Sequence, residues 1–169
     1  LADSTQPTAA ERAVDQMGRA DAALQWLGGA DAADEAAPGG LGAADLTRLR
    51  DRLPAGSELE VQRAAAAEFT VNGRRSEAEV RAQPVGPQAL GVGQLEAAEG
   101  RAPETADEVA VSPALLDDAD WAIGDELEME PLGAVEVVGV VRDPEWLSRR
   151  LVLAAPGALS SGRPTVLVS

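Results

Sequence analysis

The chain has 169 residues, with 29 Asp and Glu against 14 basic residues, all of them Arg, a formal net charge of -15, and no Cys, His, Lys or Tyr. That length suits one domain with a modest core, and that charge repels phosphate backbones and anionic lipid headgroups, so nucleic acid is not an expected partner. The missing residue types exclude imidazole bases, thiolates, Schiff bases, His- or Cys-type metal sites and a phosphate loop, which leaves carboxylate chemistry, a Ser or Thr activated in another way, and hard-cation binding through oxygen.

Thr8 and Glu11 have capping-box spacing, and Ala13, Met17, Ala20, Leu24 and Leu27 then recur every three or four residues. The spacing predicts a long N-terminal helix ending at Gly28-Gly29, either docked on a sheet or rising as a stalk over residues 1–27. Residues 28–42, with Pro38-Gly39-Gly40, read as a flexible linker. A short helix from about Ala43 to Leu53 follows, with Leu46, Leu49 and Leu53 facing inward and Pro54 as its stop.

The period then changes to two. Leu59, Val61, Ala65, Ala67, Phe69 and Val71 alternate with Glu58, Glu60, Gln62, Glu68 and Thr70, Arg63 interrupts the apolar register as a bulge would, and the alanine run Ala64 to Ala67 also fits a helix. Asn72-Gly73 is a strong hairpin signal, and Ala78, Val80 and Ala82 return against Glu77, Glu79, Arg81 and Gln83. Pro84 to Pro103 is turn-rich. Short strands are expected at Glu108–Ser112, Asp125–Glu130, Val135–Val141, Arg150–Ala154 and Thr165–Val168, with a helical turn opened by Pro113. The sum predicts an α+β fold, a long N-terminal helix and a short helix packed on a largely antiparallel or mixed β-sheet, with residues 43–169 as its core.

No sequence element stands out as a reactive centre, and no catalytic, cofactor-binding or metal-binding residue is assigned. Asp117, Asp118, Asp120 and Asp125 form the densest carboxylate cluster. It opens like a calcium loop but has Ile123 where the sharp turn needs Gly and Met129 where the bidentate Glu belongs, so a solvated acidic loop is expected. Gly91-Val92-Gly93 begins like a dinucleotide fingerprint, but Glu96 stands at the third glycine and would repel a pyrophosphate. Trp121 and Trp146 are expected to bury their indoles over the sheet. If a ligand groove exists, its expected wall is the helix stripe or the segment near Gly39.

Four segments in order, Glu99-Gly100-Arg101-Ala102-Pro103, Asp107 to Pro113, Ile123-Gly124-Asp125-Glu126-Leu127 and Val137-Val138-Gly139-Val140-Val141, form a recurring pattern. It resembles the extracytoplasmic core domain of MacB-like, FtsX-type ABC transporter permeases. The match runs from about Val85 to Ala155, and its residues are scaffold rather than reactive groups. The resemblance implies a non-enzymatic domain on the extracytoplasmic side of the cell membrane, placed between two spans of a permease. It also implies a cytoplasmic ABC ATPase and a second permease copy as partners.

No window reaches the ~18 consecutive apolar residues of a membrane helix. The chain opens at Leu1 without a charged-then-apolar leader and closes within the strand-like run Thr165–Ser169, which reads as a piece cut from between membrane spans. Two other readings compete. A freestanding secreted binding or adhesion domain would need a signal peptide upstream, and a carboxylate hydrolase would need two of the clustered Asp residues converging in a cleft.

Overall fold

The structure is a computed structural model that describes residues 18–25 and 41–169. It is mostly β, 45% strand against 11% helix. The described elements, in chain order, are β1 (Ala22–Gln25), α1 (Ala43–Arg50), β2 (Leu59–Val71), β3 (Arg74–Ala82), β4 (Glu96–Gly100), β5 (Glu108–Val111), α2 (Pro113–Ala119), β6 (Glu126–Glu130), β7 (Gly133–Arg142), β8 (Leu151–Ala154) and β9 (Arg163–Val168).

Six of these strands close into a barrel in the order β2, β3, β8, β5, β7, β6 and back to β2. Closure depends on the length of β2. Its first half, Leu59 to Ala64, pairs with β9, while Glu68 and Phe69 further on pair with Glu130 and Met129 of β6. β9 and β1 extend the sheet outward on one side and β4 extends it on the other. Two pairings, β3 with β8 and β5 with β7, are parallel and the rest antiparallel.

Alternate residues of all six barrel strands point inward. Ala67 and Phe69, Ala78 and Val80, Val109 and Val111, Met129, Val135 and Val137, and Val152 and Ala154 form one buried cluster, with Leu115 of α2 as a plug. So small a barrel has room only for side chains, and Ala and Val on the facing strands meet that limit. A second cluster of Leu95, Ala110, Val141, Leu151 and Leu153 lies on the other face of β5 and β8, and Val141 of β7 joins it beyond the register shift between Val137 and Gly139. α1 lays Leu46 and Leu49 against Leu41, Val166 and Val168.

The predicted α+β architecture is therefore corrected to a β-barrel with two short helices. Where the N-terminal helix was expected to run on to Leu27, residues 18–25 form a turn and β1. Gly18 has φ +61, and a Cβ there would collide with backbone atoms of Leu90 and Val92. Arg19 N–H donates to the Leu90 carbonyl and Asp21 N–H to the Val168 carbonyl, each at 2.7 Å. These long-range bonds override a helix propensity worth only tenths of a kcal/mol per residue. The rest of the expected helix, and the linker with Gly39, lie outside the described residues, except that Leu41 is buried against Val166 and Val168 and Gly42 is the N-cap of α1.

The expected hairpin is present, with Asn72 and Gly73 both at positive φ in its turn. Arg63 causes no bulge; it pairs in register with Ala82 and Pro164, and its guanidinium donates to the Leu41 carbonyl at 2.9 Å. Its aliphatic stem keeps the apolar side of the strand continuous. The Pro113 turn and the last five strands fall within about two residues of their expected positions, the usual uncertainty of element ends, while the short helix starts at Ala43 as expected and ends at Arg50, three residues before Leu53.

Candidate functional site

The four segments of the recurring pattern meet around β7. Gly100 and Gly139 are register partners, and each is bare for a reason. A Cβ on Gly139 would strike the Arg101 carbonyl, and one on Gly100, at φ +66, would strike the Val138 carbonyl. The next residue, Arg101, spans the crossover from β4 to β5 with a bidentate ion pair. Its Nη1 and Nη2 donate to the two carboxylate oxygens of Glu108 at 2.7 and 2.5 Å, and Glu104 N–H adds a third bond at 2.9 Å. The Arg101 guanidinium, assisted by that amide, holds the Glu108 carboxyl at about 2.

Ser112 precedes Pro113, the last residue of the second segment. It is buried, its Oγ accepts from Leu151 N–H at 3.0 Å and its own N–H donates to the Leu151 carbonyl at 2.8 Å, which locks β5 to β8. Gly124 (φ +99) makes the turn before β6, and Asp125 accepts the Ala122 N–H at 2.8 Å. Each segment thus secures a crossing of the barrel wall, as scaffold residues should.

The other acidic positions serve local structure. Asp118 pairs with Arg150 at 3.3 Å, Asp120 terminates α2 in the left-handed conformation, and Asp117 is exposed. This is an ion pair and a capped turn rather than a pair of carboxyls sharing a cleft. Among the described residues, no group of three or more Asp or Glu is placed to hold a metal ion.

Two buried carboxylates were not legible as such. Glu60, expected on the wet face of β2, is buried because the segment after β3 folds across it. Its oxygens accept the N–H groups of Leu90 at 2.6 Å and Gly91 at 3.3 Å, and Gln62 donates to it at 2.9 Å. The backbone amides that a dinucleotide loop would offer to phosphate at Gly91 are thereby occupied. Asp143 is likewise buried at the end of β7, where its Oδ1 accepts from Glu145 N–H at 3.0 Å and Trp146 N–H at 3.2 Å. Its Oδ2 accepts from Arg149 at 3.0 Å.

Arg149 also reaches Glu79 at 2.7 Å, and Glu79 accepts from Arg81 at 2.6 Å. Burial opposes ionisation of Glu79, yet Arg81 and Arg149 together hold its carboxyl below the usual range. Burial likewise opposes the charge of Arg149, while Asp143 and Glu79 raise its affinity for the proton.

The tryptophans divide. Trp121 packs at 4.9 Å from Phe69, over the barrel, as expected. Trp146 does not bury its indole; it is 64% exposed on the β7–β8 connection, where Arg149 stands 5.9 Å from the ring. Two surface depressions among the described residues are a hollow of about 610 Å³ bordered by Arg50, Glu58 and Pro84 to Leu90, and one of about 590 Å³ bordered by Phe69, Trp121, Arg75 and β6 glutamates. Both are open to solvent.

No family model and no curated protein matches the sequence. Among solved structures, the extracellular domain of the noncanonic ABC-type transporter YknZ from Gram-positive bacteria is similar in fold, with a TM-score of 0.57 at 10% identity, over 86% of this chain and 82% of that one. At that identity the likeness establishes the fold: this chain has an architecture also adopted by the extracellular domain of an ABC-type transporter.

Proposed function

We propose that this chain is the extracytoplasmic domain of an ABC transporter permease, of the MacB-like, FtsX-type kind that its ordered segments resemble. In this reading it makes and breaks no covalent bond. It is displaced by membrane spans that a cytoplasmic ATPase drives, and passes that displacement to a substrate or an outer partner. The observation that carries the reading is the fold likeness to the YknZ extracellular domain across 86% of the chain. A second support is that the segments carrying the resemblance converge on β7, where Gly139, Gly100, Arg101 and Glu108 tie three strands together.

The barrel suits such a role physically. A closed ring of strands has no free edge at which to hinge, and its lumen is filled with side chains, so a pull at one end moves the whole body.

The chain contains no Cys, so, with any cysteine elsewhere in the full-length protein replaced by Ser, one thiol introduced here is a unique reporter. Ala97 is exposed on β4, and Ala97→Cys in the full-length protein is expected to react with a membrane-impermeant maleimide on intact cells. Reaction only after the membrane is opened would overturn the placement. Copurification of an ATPase whose turnover is unaffected by this protein would overturn the coupling.

A further inference from the structure

The depression along the seam of β2 and β6 is built of two unlike materials. Phe69, Trp121 and Leu127 give it an apolar and aromatic surface, with the two rings 4.9 Å apart. Glu68, Glu126, Glu128 and Glu130 border the same hollow against one cation, Arg75, which is paired with Glu68. Among the described residues, Glu126, Glu128 and Glu130 make no ion pair. The strand register sharpens the excess of charge. Glu68 stands directly opposite Glu130 on β6 and Glu77 on β3, and Glu126 stands opposite Glu136 on β7. Like charges facing across strands destabilise a sheet, so this face gains from a cation laid over it. A metal ion does not fit: among the described residues no three carboxylates converge to hold one, and a hard cation wants about six oxygens.

We propose that this depression binds an arginine-bearing segment of a protein partner, laid in extended form along β6. The spacing selects the occupant. Glu126, Glu128 and Glu130 are exposed and alternate with Leu127 and Met129, so their carboxylates repeat about every 6.7 Å, the repeat of alternate side chains in any extended chain. Arginines at alternate positions meet them one to one. A guanidinium also serves both materials of the hollow, since it pairs with carboxylates and stacks on an indole such as that of Trp121. Arg75 on Glu68 is an instance of that pairing within the hollow itself. A second copy of this chain does not supply the segment: its alternating set, Arg48, Arg50 and Arg52, lies on α1 and the turn after it. This assignment stands on the hollow and does not rest on the transporter reading.

The test titrates the full 169-residue chain into a fluorescein-labelled hexapeptide that alternates Arg with Ser, read by fluorescence anisotropy at low salt. Binding should weaken about tenfold or more for Glu126→Gln with Glu128→Gln and Glu130→Gln, and should tighten for Arg75→Ala, which frees Glu68. An equal loss of charge elsewhere, Glu96→Gln with Glu99→Gln and Glu145→Gln, should weaken it less than about twofold. The proposal is overturned if that control triple loses as much as the β6 triple, or if a hexapeptide with its three arginines contiguous binds as tightly. Displacement of the peptide by equimolar spermidine or Ca²⁺ would assign the site to a free polyamine or a metal ion instead, and no binding would remove it. The β6 triple changes only exposed side chains and should melt with the wild type or above it, so its loss of binding cannot be ascribed to unfolding.

Discussion

The connections after β3 and after β7 use one device to opposite ends. Glu60 takes the amides of Leu90 and Gly91, and Asp143 takes the amides of Glu145 and Trp146. Around Glu60 the connection turns its apolar residues inward, so that Ala89, Leu90 and Leu95 are buried. Around Asp143 it turns Trp146 and Leu147 outward. The anchoring is alike, so the exposure of the second pair does not follow from looseness. The same kind of tie thus covers the apolar residues of one connection and leaves those of the other in water.

Paired substitutions sharpen that contrast. The largest effect is expected for Leu90→Ala, which empties a site only 3% exposed and should cost about 2–5 kcal/mol in denaturant unfolding. Asp143→Ala should cost less, about 1–3 kcal/mol, because two amides and Arg149 lose a buried acceptor. The same change should raise hydrogen exchange at Glu145 and Trp146 while leaving Leu90 and Gly91 protected. Equal exchange at both connections would break the comparison.

A smaller effect should appear in acid. The folded Glu108 carboxyl lies at about 2, below its ordinary 4.5, because Arg101 and the Glu104 amide favour the charged form. A depressed acid stabilises the fold fully above about 4.5, and that stabilisation drains away as pH falls towards about 2. Glu79, also held low, acts in the same sense. Glu108→Gln should therefore flatten the acid limb of a plot of Tm against pH, whereas an unchanged limb would mean that the Arg101 pair does not persist in solution. The smallest effect is expected for Leu147→Ala, within about 0.5 kcal/mol of the wild type. A cost near that of Leu90→Ala would show that Leu147 is buried in solution.

Legibility in the sequence followed the kind of force that makes each element. The β2–β3 hairpin was readable because alternation and Asn72-Gly73 are local, and α2 because Pro113 fits the first helical turn. β1 and β4 were not. Their sequences, Ala22-Ala23-Leu24-Gln25 and Glu96-Ala97-Ala98-Glu99-Gly100, favour helix or turn, and they are strands because β9 and β7 offer them backbone partners. Barrel closure rests on Glu68 and Phe69 finding β6 about sixty residues later, a pairing that leaves no trace in any periodicity. Glu60 shared the polar parity of β2 and gave no local sign that Leu90 and Gly91 would cover it. Trp146 was misassigned by the reasonable rule that a chain with three Trp and one Phe would spend them on its core.

The proposed function has a nucleotide-driven permease carry the outer barrel as one stiff body. In the complete transporter in nanodiscs, Ala97→Cys and Thr70→Cys, both on exposed strand positions, can carry a pair of labels. Between nucleotide-free and ATP-trapped states, the distance between the two labels should stay constant while the quenching of each by lipid-borne quenchers changes. Quenching that stays the same in both states, or a label-to-label distance that changes with nucleotide, would contradict it.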